Sequence, residues 1–391
     1  MKKKLKALGK DFWIGGEVDL EIKLLRMISV VLVFLVVLSS CIYLIYSLQK
    51  RSEIEKEEQK IEGIHVILED YEISALIVEG NEIIAGGKDG VYRIDIESGK
   101  IIEVVSTNIS LVYTASIIRS SNGDLWIGHD SGLSIYNDSG WIHLESPTIP
   151  KGRCNKIIET NNYIYAGFQE GLAIFMAEDS ASYEVEKILN NRNGLKENNV
   201  NAIYEDSTKQ LWFGAYLSNE FGGLSIQRED NWEYVSIDHG LAHKYITDIK
   251  GFDYDTQEFV IVGGGHLTSG GLSLFTVSED GNELLKSFHI EDGLPGEKVR
   301  SIYVSENNEV WITTESHGLL ITTMEILTKS DILDGIYLDK THGLSDNEIK
   351  IVGENKNCYI LGGRFGITII DKKIMTDLQG LIFDKSYILN P

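Results

Sequence analysis

From about residue 70 to its end the chain writes one pattern seven times, at intervals of 39 to 52 residues, and a repeat of that length leaves few folds open. Three landmarks define it. The first is a glycine followed by an aliphatic residue: Gly90-Val91, Gly132-Leu133, Gly171-Leu172, Gly223-Leu224, Gly271-Leu272, Gly318-Leu319 and Gly366-Ile367. A few residues upstream lies a run shaped like Leu-Trp-Ile-Gly, centred on Ile84, Trp126, Tyr165, Trp212, Ile261, Trp311 and Ile360. Two residues past each centre comes glycine (86, 128, 167, 214, 263 and 362), with Thr313 as the exception. Further upstream an apolar run opens at Ile73, Thr114, Cys154, Val200, Ile246, Val299 and Ile349.

Each copy reads as three alternating strands and a fourth, as in VRSIYV, EVWITT, GLLITT and GIYLDK from Val299 onward. Turn residues such as Ser121-Asn122-Gly123-Asp124 separate the strands, and helix-period segments are nearly absent after residue 63. Four antiparallel strands cannot bury both faces of their own sheet, so neighbouring copies must stack face to face. Radial stacking predicts an all-β fold, a seven-bladed β-propeller of four-stranded antiparallel blades over residues 64–391, preceded by one transmembrane helix. Two segments compete to complete the last blade, Ile64 to Glu69 and Leu381 to Lys385. The recurring glycines and large residues are read as packing features, with Cys154 a core filler where other copies place Val or Ile. Cys154 and Cys358 fall in different copies, which argues against a disulfide, and no metal-ligand spacing involves them.

The pattern V-x-x-I-Y, LWIG and GL with a D-G-L turn is present as Val299-Arg300-Ser301-Ile302-Tyr303, Leu125-Trp126-Ile127-Gly128 and Asp292-Gly293-Leu294. Variants of the turn are Asn193-Gly194-Leu195, His239-Gly240-Leu241 and His342-Gly343-Leu344. This resembles the two-component regulator propeller repeat over roughly residues 64–385. The resemblance implies the extracytoplasmic sensing part of a membrane histidine kinase. Here no kinase segment is seen, and the 26 residues before the apolar run are too few for a phosphotransfer domain, so the expectation is a partner that signals elsewhere.

Met27 to Leu48 are 22 residues without a charge, enough as a helix to cross a hydrocarbon core. Leu38-Ser39-Ser40-Cys41 is similar to a lipobox, but the sequence stays apolar after Cys41, and an uncleaved anchor is the preferred reading. Seven Lys and Arg precede it (residues 1–26 form a basic tail) and four follow among glutamates. That bias places the N-terminus in the cytoplasm and the propeller outside the cell membrane. Residues 49–63 read as a charged helical stalk. Residues 49–391 carry 29 Lys and Arg against 55 Asp and Glu, a net of −26, which repels phosphate backbones and excludes nucleic acid as a partner.

In a propeller the loop leading into each innermost strand and the loop joining second to third strands share one face. Function tends to sit on such loops. On this face we expect a ligand-binding site drawn from His129, Gln169, Tyr216, Asn219, His243, His266, Glu315 and Arg364, nearest the long second-to-third loops GAYLSNEFGG and GGGHLTSGG. No HExxH, GxSxG or Walker pattern occurs, so no catalytic residues, metal or cofactor are assigned. The expected function is a non-catalytic module that binds a small ligand, a glycan or a protein. The alternatives are a propeller lyase or hydrolase acting on a polysaccharide or peptide, and a structural scaffold.

Overall fold

A computed structural model describes residues 28, 30–47, 61–177, 183–217, 221–278 and 281–378. The chain divides into two units, Met1–Gln59 and Lys60–Pro391. In the first, Val30–Ser47 form a helix long and apolar enough to cross a membrane, about 27 Å at the usual rise per residue. Its Val, Leu and Ile side chains are exposed along its length. The hydroxyls of Ser39 and Ser40 donate to the Val36 carbonyl at 2.9 and 2.8 Å, so both hydroxyl hydrogens are satisfied within the helix. The basic tail and residues 49–60 of the stalk lie outside the described residues.

The second unit contains seven four-stranded antiparallel sheets. Their first strands are Ile73–Glu79, Ser116–Arg119, Cys154–Glu159, Val200–Glu205, Ile246–Tyr254, Val299–Val304 and Ile349–Glu354, opening blades 1 to 7 in that order. Each first strand touches the first strand of the next blade, and Ile73–Glu79 touches Ile349–Glu354, so the ring is closed around an axis. In blades 1 to 6 the strand order follows the chain. Blade 7 takes its outer strand from the other end: Ile64–Ile67 pairs with Gly366–Asp371, with Ile64 opposite Ile370 and Ile67 opposite Ile367. That decides between the two expected closures; Leu381 to Lys385 lie outside the described residues.

The core is distributed. Seven hydrophobic clusters occupy the seven blade-to-blade interfaces. Trp126, Trp212 and Trp311 each lie edge-on or tilted against an aromatic of the following blade, Phe175, Phe275 and Tyr359, with centroids 5.3, 5.4 and 4.4 Å apart. Cys154 and Cys358 are buried in different interfaces.

The glycine two residues past each of these centres has a specific task. A Cβ on Gly86, Gly128, Gly167, Gly214, Gly263 or Gly362 would come within 2.5–2.8 Å of Thr114, Cys154, Val200, Ile246, Val299 or Ile73 in turn, a residue at or just before the first strand of the next blade. The blades therefore approach to a distance only a bare backbone allows. Blade 6 has Thr313 there, and its Oγ1 instead accepts from the Ser301 N–H at 3.0 Å. Gly214→Val is expected to destabilise the domain by about 2–3 kcal/mol through overpacking, read by chemical denaturation. A loss below about 0.5 kcal/mol would show that the interface yields at no cost.

Three of the four D-G-L type turns are built alike. Ile237–His239, Ile290–Asp292 and Lys340–His342 are single 3-10 turns, each ended by a left-handed glycine, Gly240, Gly293 or Gly343 (φ 91°, 102° and 107°). The leucine that follows, Leu241, Leu294 or Leu344, plugs the adjoining interface. His239 and His342 accept backbone N–H groups inside these turns, which assigns them to the scaffold.

Two expectations are corrected. Blade 6 carries a short helix, Met324–Lys329, between its third and fourth strands, capped by the Thr323 hydroxyl at the Ile326 N–H. Its outer strand is accordingly shortened to Ile336–Leu338. In blade 5 the segment GGGHLTSGG is no open loop. The strands Gln257–His266 and Ser269–Thr276 continue their pairing through Gly265–Gly270 and His266–Ser269, forming a projecting hairpin.

Candidate functional site

In six blades the first strand carries a β-bulge between its first and third residues. A bulge adds a residue with no partner opposite and re-aims its side chain. The residues so placed are Ser74, Asn155, Asn201, Thr247, Arg300 and Lys350, all polar, and all six line one cavity of about 230 Å³ at the leading-loop end of the central channel. Blade 2 contributes Tyr113, Thr114 and Ala115, and Lys88, Arg153, Lys156 and Asp248 complete the polar wall.

Charge pairs circle this mouth. Lys298 reaches Glu315 at 2.8 Å, Arg300 joins Glu315 at 3.1 Å and also bonds Glu348, and Lys350 holds Glu72 at 2.5 Å. Burial pushes the Glu315 carboxyl upward, but the Lys298 hydrogen bond and the Arg300 charge outweigh it and hold it below the usual glutamate range. Deeper in the channel, Asp248 is 4 % exposed and meets Lys156 at 3.2 Å. It also accepts the Ile302 and Ile249 N–H groups at 3.0 and 3.1 Å. Burial raises its carboxyl, and Lys156, Lys250 and the Ile302 N–H together bring it below the ordinary value. The Lys156 charge, with burial second, lowers Lys250 in turn. At the far end of the channel a second cavity, about 430 Å³, is lined by Glu159, Glu205 and Lys250 among others.

An aromatic group adjoins the first mouth. Tyr245 lies edge-on to Tyr216, His243 and His266 with centroids 5.7, 5.3 and 5.4 Å away. Lys298 sits 5.6 Å over the Tyr216 ring while paired with Glu315, which joins the aromatic group to the charged ring. The projecting hairpin of blade 5 positions it. A Cβ on Gly270 would lie 2.1 Å from the Glu297 carbonyl and one on Gly265 2.7 Å from the Lys298 Cα, so glycine lets the hairpin pass directly over that loop. Burial, with the nearby charges of His266, Lys244 and Lys298, lowers the His243 imidazole against the opposing hydrogen bond from the Tyr245 N–H.

Of the residues expected from sequence, Tyr216, His243, His266 and Glu315 are thus brought together. His129 stands apart. It is 1 % exposed, its Nε2 meets the Ser134 hydroxyl at 2.8 Å, and burial drives its pKa down to about 4. The side chain is committed to its own blade, and we leave it outside the site. Gln169 is exposed and accepts the Arg153 N–H at 3.4 Å, touching only the rim. Arg364 lies over Phe365 at 5.4 Å, forming an exposed patch on blade 7. Asn219 lies outside the described residues. Sequence reading missed Tyr245, Lys298, the bulge residues and Asp248. A signal existed: the second residue of the apolar run is polar in six copies, as in Ile73-Ser74, Cys154-Asn155, Val200-Asn201 and Val299-Arg300.

A family model described as two component regulator propeller matches residues 194–216, which span the leading turn, first strand and Trp strand of blade 4. Among solved structures, the extracellular domain of a protein described as a hybrid two component system from B. thetaiotaomicron aligns with TM-score 0.61 and 19 % identity, covering 81 % of this chain and 42 % of that one. A second such domain from the same organism gives 0.57 and 17 %, covering 77 % and 40 %. The present chain therefore spans about two fifths of those structures. A streptogramin B lyase gives 0.54 and 15 %, covering 79 % of this chain and 97 % of that one. At these identities the likeness is one of fold. No curated protein matches the sequence.

Proposed function

We propose that this propeller, with its two-component-regulator type of repeat, is a membrane-tethered, extracytoplasmic recognition module that binds a ligand at the leading-loop mouth of its channel and performs no chemistry itself. The observation that carries the reading is the sixfold bulge, which gives up a ladder position in each blade to aim one polar residue into a shared cavity. Apolar and aromatic walls beside a few convergent polar groups are what recognition sites are made of. The apolar helix and the extracellular domains of similar fold support an anchored protein with its propeller outside, and the basic residues before the helix favour that orientation.

The streptogramin B lyase fold keeps an enzymatic reading in view, and two features weigh against it. Glu315 is held ionised by two cations, which unfits it as a general acid near neutrality. Among the described residues neither His243 nor His266 hydrogen-bonds a carboxylate that would orient it as a base. A thermal-shift screen of the propeller against sugars, short peptides and cell-wall fragments is expected to yield a stabilising compound. Tyr245→Ala is expected to weaken its binding about tenfold or more, as for a central aromatic anchor. If no compound stabilises the protein, or if Tyr245→Ala and Tyr216→Ala bind it undiminished, the placement is wrong.

A further inference from the structure

We infer that the bulge-lined mouth is an oxyanion site, taking a compact ligand that carries a carboxylate or phosphate and seating it against Arg153 and Lys88. The inference rests on the reading of this mouth as a ligand site and adds the chemical class.

Charge balance comes first. Residues 49–391 have a net charge of −26, yet the cavity wall carries five lysines and arginines against only Glu72 and Asp248. With Lys298, Glu315 and Glu348 of the rim counted as well, six cations face four carboxylates, a local inversion of sign in a strongly acidic domain. An anion repelled elsewhere on the surface is drawn to this point.

Pairing comes second. Lys156 is engaged by Asp248, Arg300 by Glu315 and Glu348, and Lys350 by Glu72. Neither Lys88 nor Arg153 has an acidic partner among the described residues. Asn155 Oδ1 accepts the Arg153 Nε–H at 3.0 Å, which fixes the guanidinium and leaves its two terminal amino groups for a ligand. Such a fork matches the two oxygens of a carboxylate or phosphate. Two further groups of the wall, Arg300 Nε and Thr247 Oγ1, are buried without a hydrogen-bond partner. Orphaned polar groups at a cavity point to something that completes them. The wall thus holds two unpaired cations and two unsatisfied polar groups, a set that a neutral or cationic ligand would not satisfy.

Size comes third. A cavity of about 230 Å³ is smaller than the usual range for drug-sized ligands, so the bound part is small.

The test is calorimetric titration of the full chain in lipid nanodiscs at constant ionic strength with glutarate, inorganic phosphate and neutral glutaramide. At least one anion is expected to bind one site saturably while glutaramide does not, and the stronger anion identifies carboxylate or phosphate as the preferred group. Arg153→Gln is expected to weaken that anion about tenfold or more, Lys88→Gln in the same direction, and Lys151→Gln, an exposed charge outside the cavity, not at all. Melting midpoints of all variants establish that they are folded. Binding of glutaramide as strong as that of the better anion, or equal weakening by Arg153→Gln and Lys151→Gln, overturns the oxyanion assignment. If neither anion binds but a neutral compound does and needs Tyr245, the oxyanion class falls and the ligand mouth stands. If nothing binds at all, both fall.

Discussion

Asp248→Asn is expected to cost about 3–5 kcal/mol of unfolding free energy. The carboxylate reaches across the channel. From blade 5 it pairs with Lys156 of blade 3 and accepts the Ile302 N–H of blade 6, with the Ser301 hydroxyl at 3.3 Å. Losing its charge leaves the Lys156 and Lys250 charges acting on one another with little exposure, each penalising the other. Breaking a buried pair costs more than the pair itself contributes, because the survivor stays uncompensated. Added to Asp248→Asn, a second substitution, Lys156→Met, is therefore expected to recover part of the loss, a non-additivity a double-mutant cycle measures. The same carboxyl makes the fold acid-sensitive in a defined sense. Its folded pKa lies below the ordinary value of 3.8, so the unfolded chain takes up the proton first. The stability it provides is present above that ordinary value and is lost as pH falls toward and through the folded pKa. Asp248→Asn should flatten this acid limb. A variant within about 1 kcal/mol of the parent at neutral pH would show the channel to be wet enough to screen all three charges.

Excising residues 61–68 is expected to have a comparable effect by a different route. Ile64 packs on the interface holding Trp311 and Tyr359, and Ile67 on the interface between blades 7 and 1. Without them blade 7 exposes the hydrogen-bonding edge of Gly366–Asp371 and two apolar seams open. The expected result is a lowered, broadened melting transition and rapid proteolysis beginning in blade 7. An unchanged, sharp transition would mean that the remaining six complete blades hold the ring by themselves.

The ring was legible because its grammar is local. Gly214 and its counterparts recur at readable spacing since each must meet the start of the next blade, and Leu241 and its counterparts follow a glycine whose left-handed backbone the turn demands. What escaped was of two kinds. A bulge changes which way Arg300 or Asn155 points without altering composition, so a polar residue in an apolar run reads as an ordinary solvent-side position. Partnerships such as Lys298 with Tyr216 or Lys156 with Asp248 join residues 82 and 92 positions apart and exist only once the blades are arranged. His129 illustrates the converse. Its neighbours suggest a loop, yet the strand Leu125–His129 carries it into the sheet, where its Nε2 meets the Ser134 hydroxyl, itself bonded to His143. The short helix in blade 6 spans six residues, too few to establish a helical period against the alternation around it.

Because the strand Ile64–Ile67 pairs with Gly366–Asp371, the first part of the propeller to leave the ribosome finds its partner only after about 300 more residues have been made. Throughout synthesis it is a spare strand with nothing to pair with, while blades 1 to 6 can each form from contiguous chain. Completion is thus a last step reserved for full-length product: a chain released early leaves an open arc with unsatisfied edges at both ends, a form that quality-control proteases can tell from the finished ring.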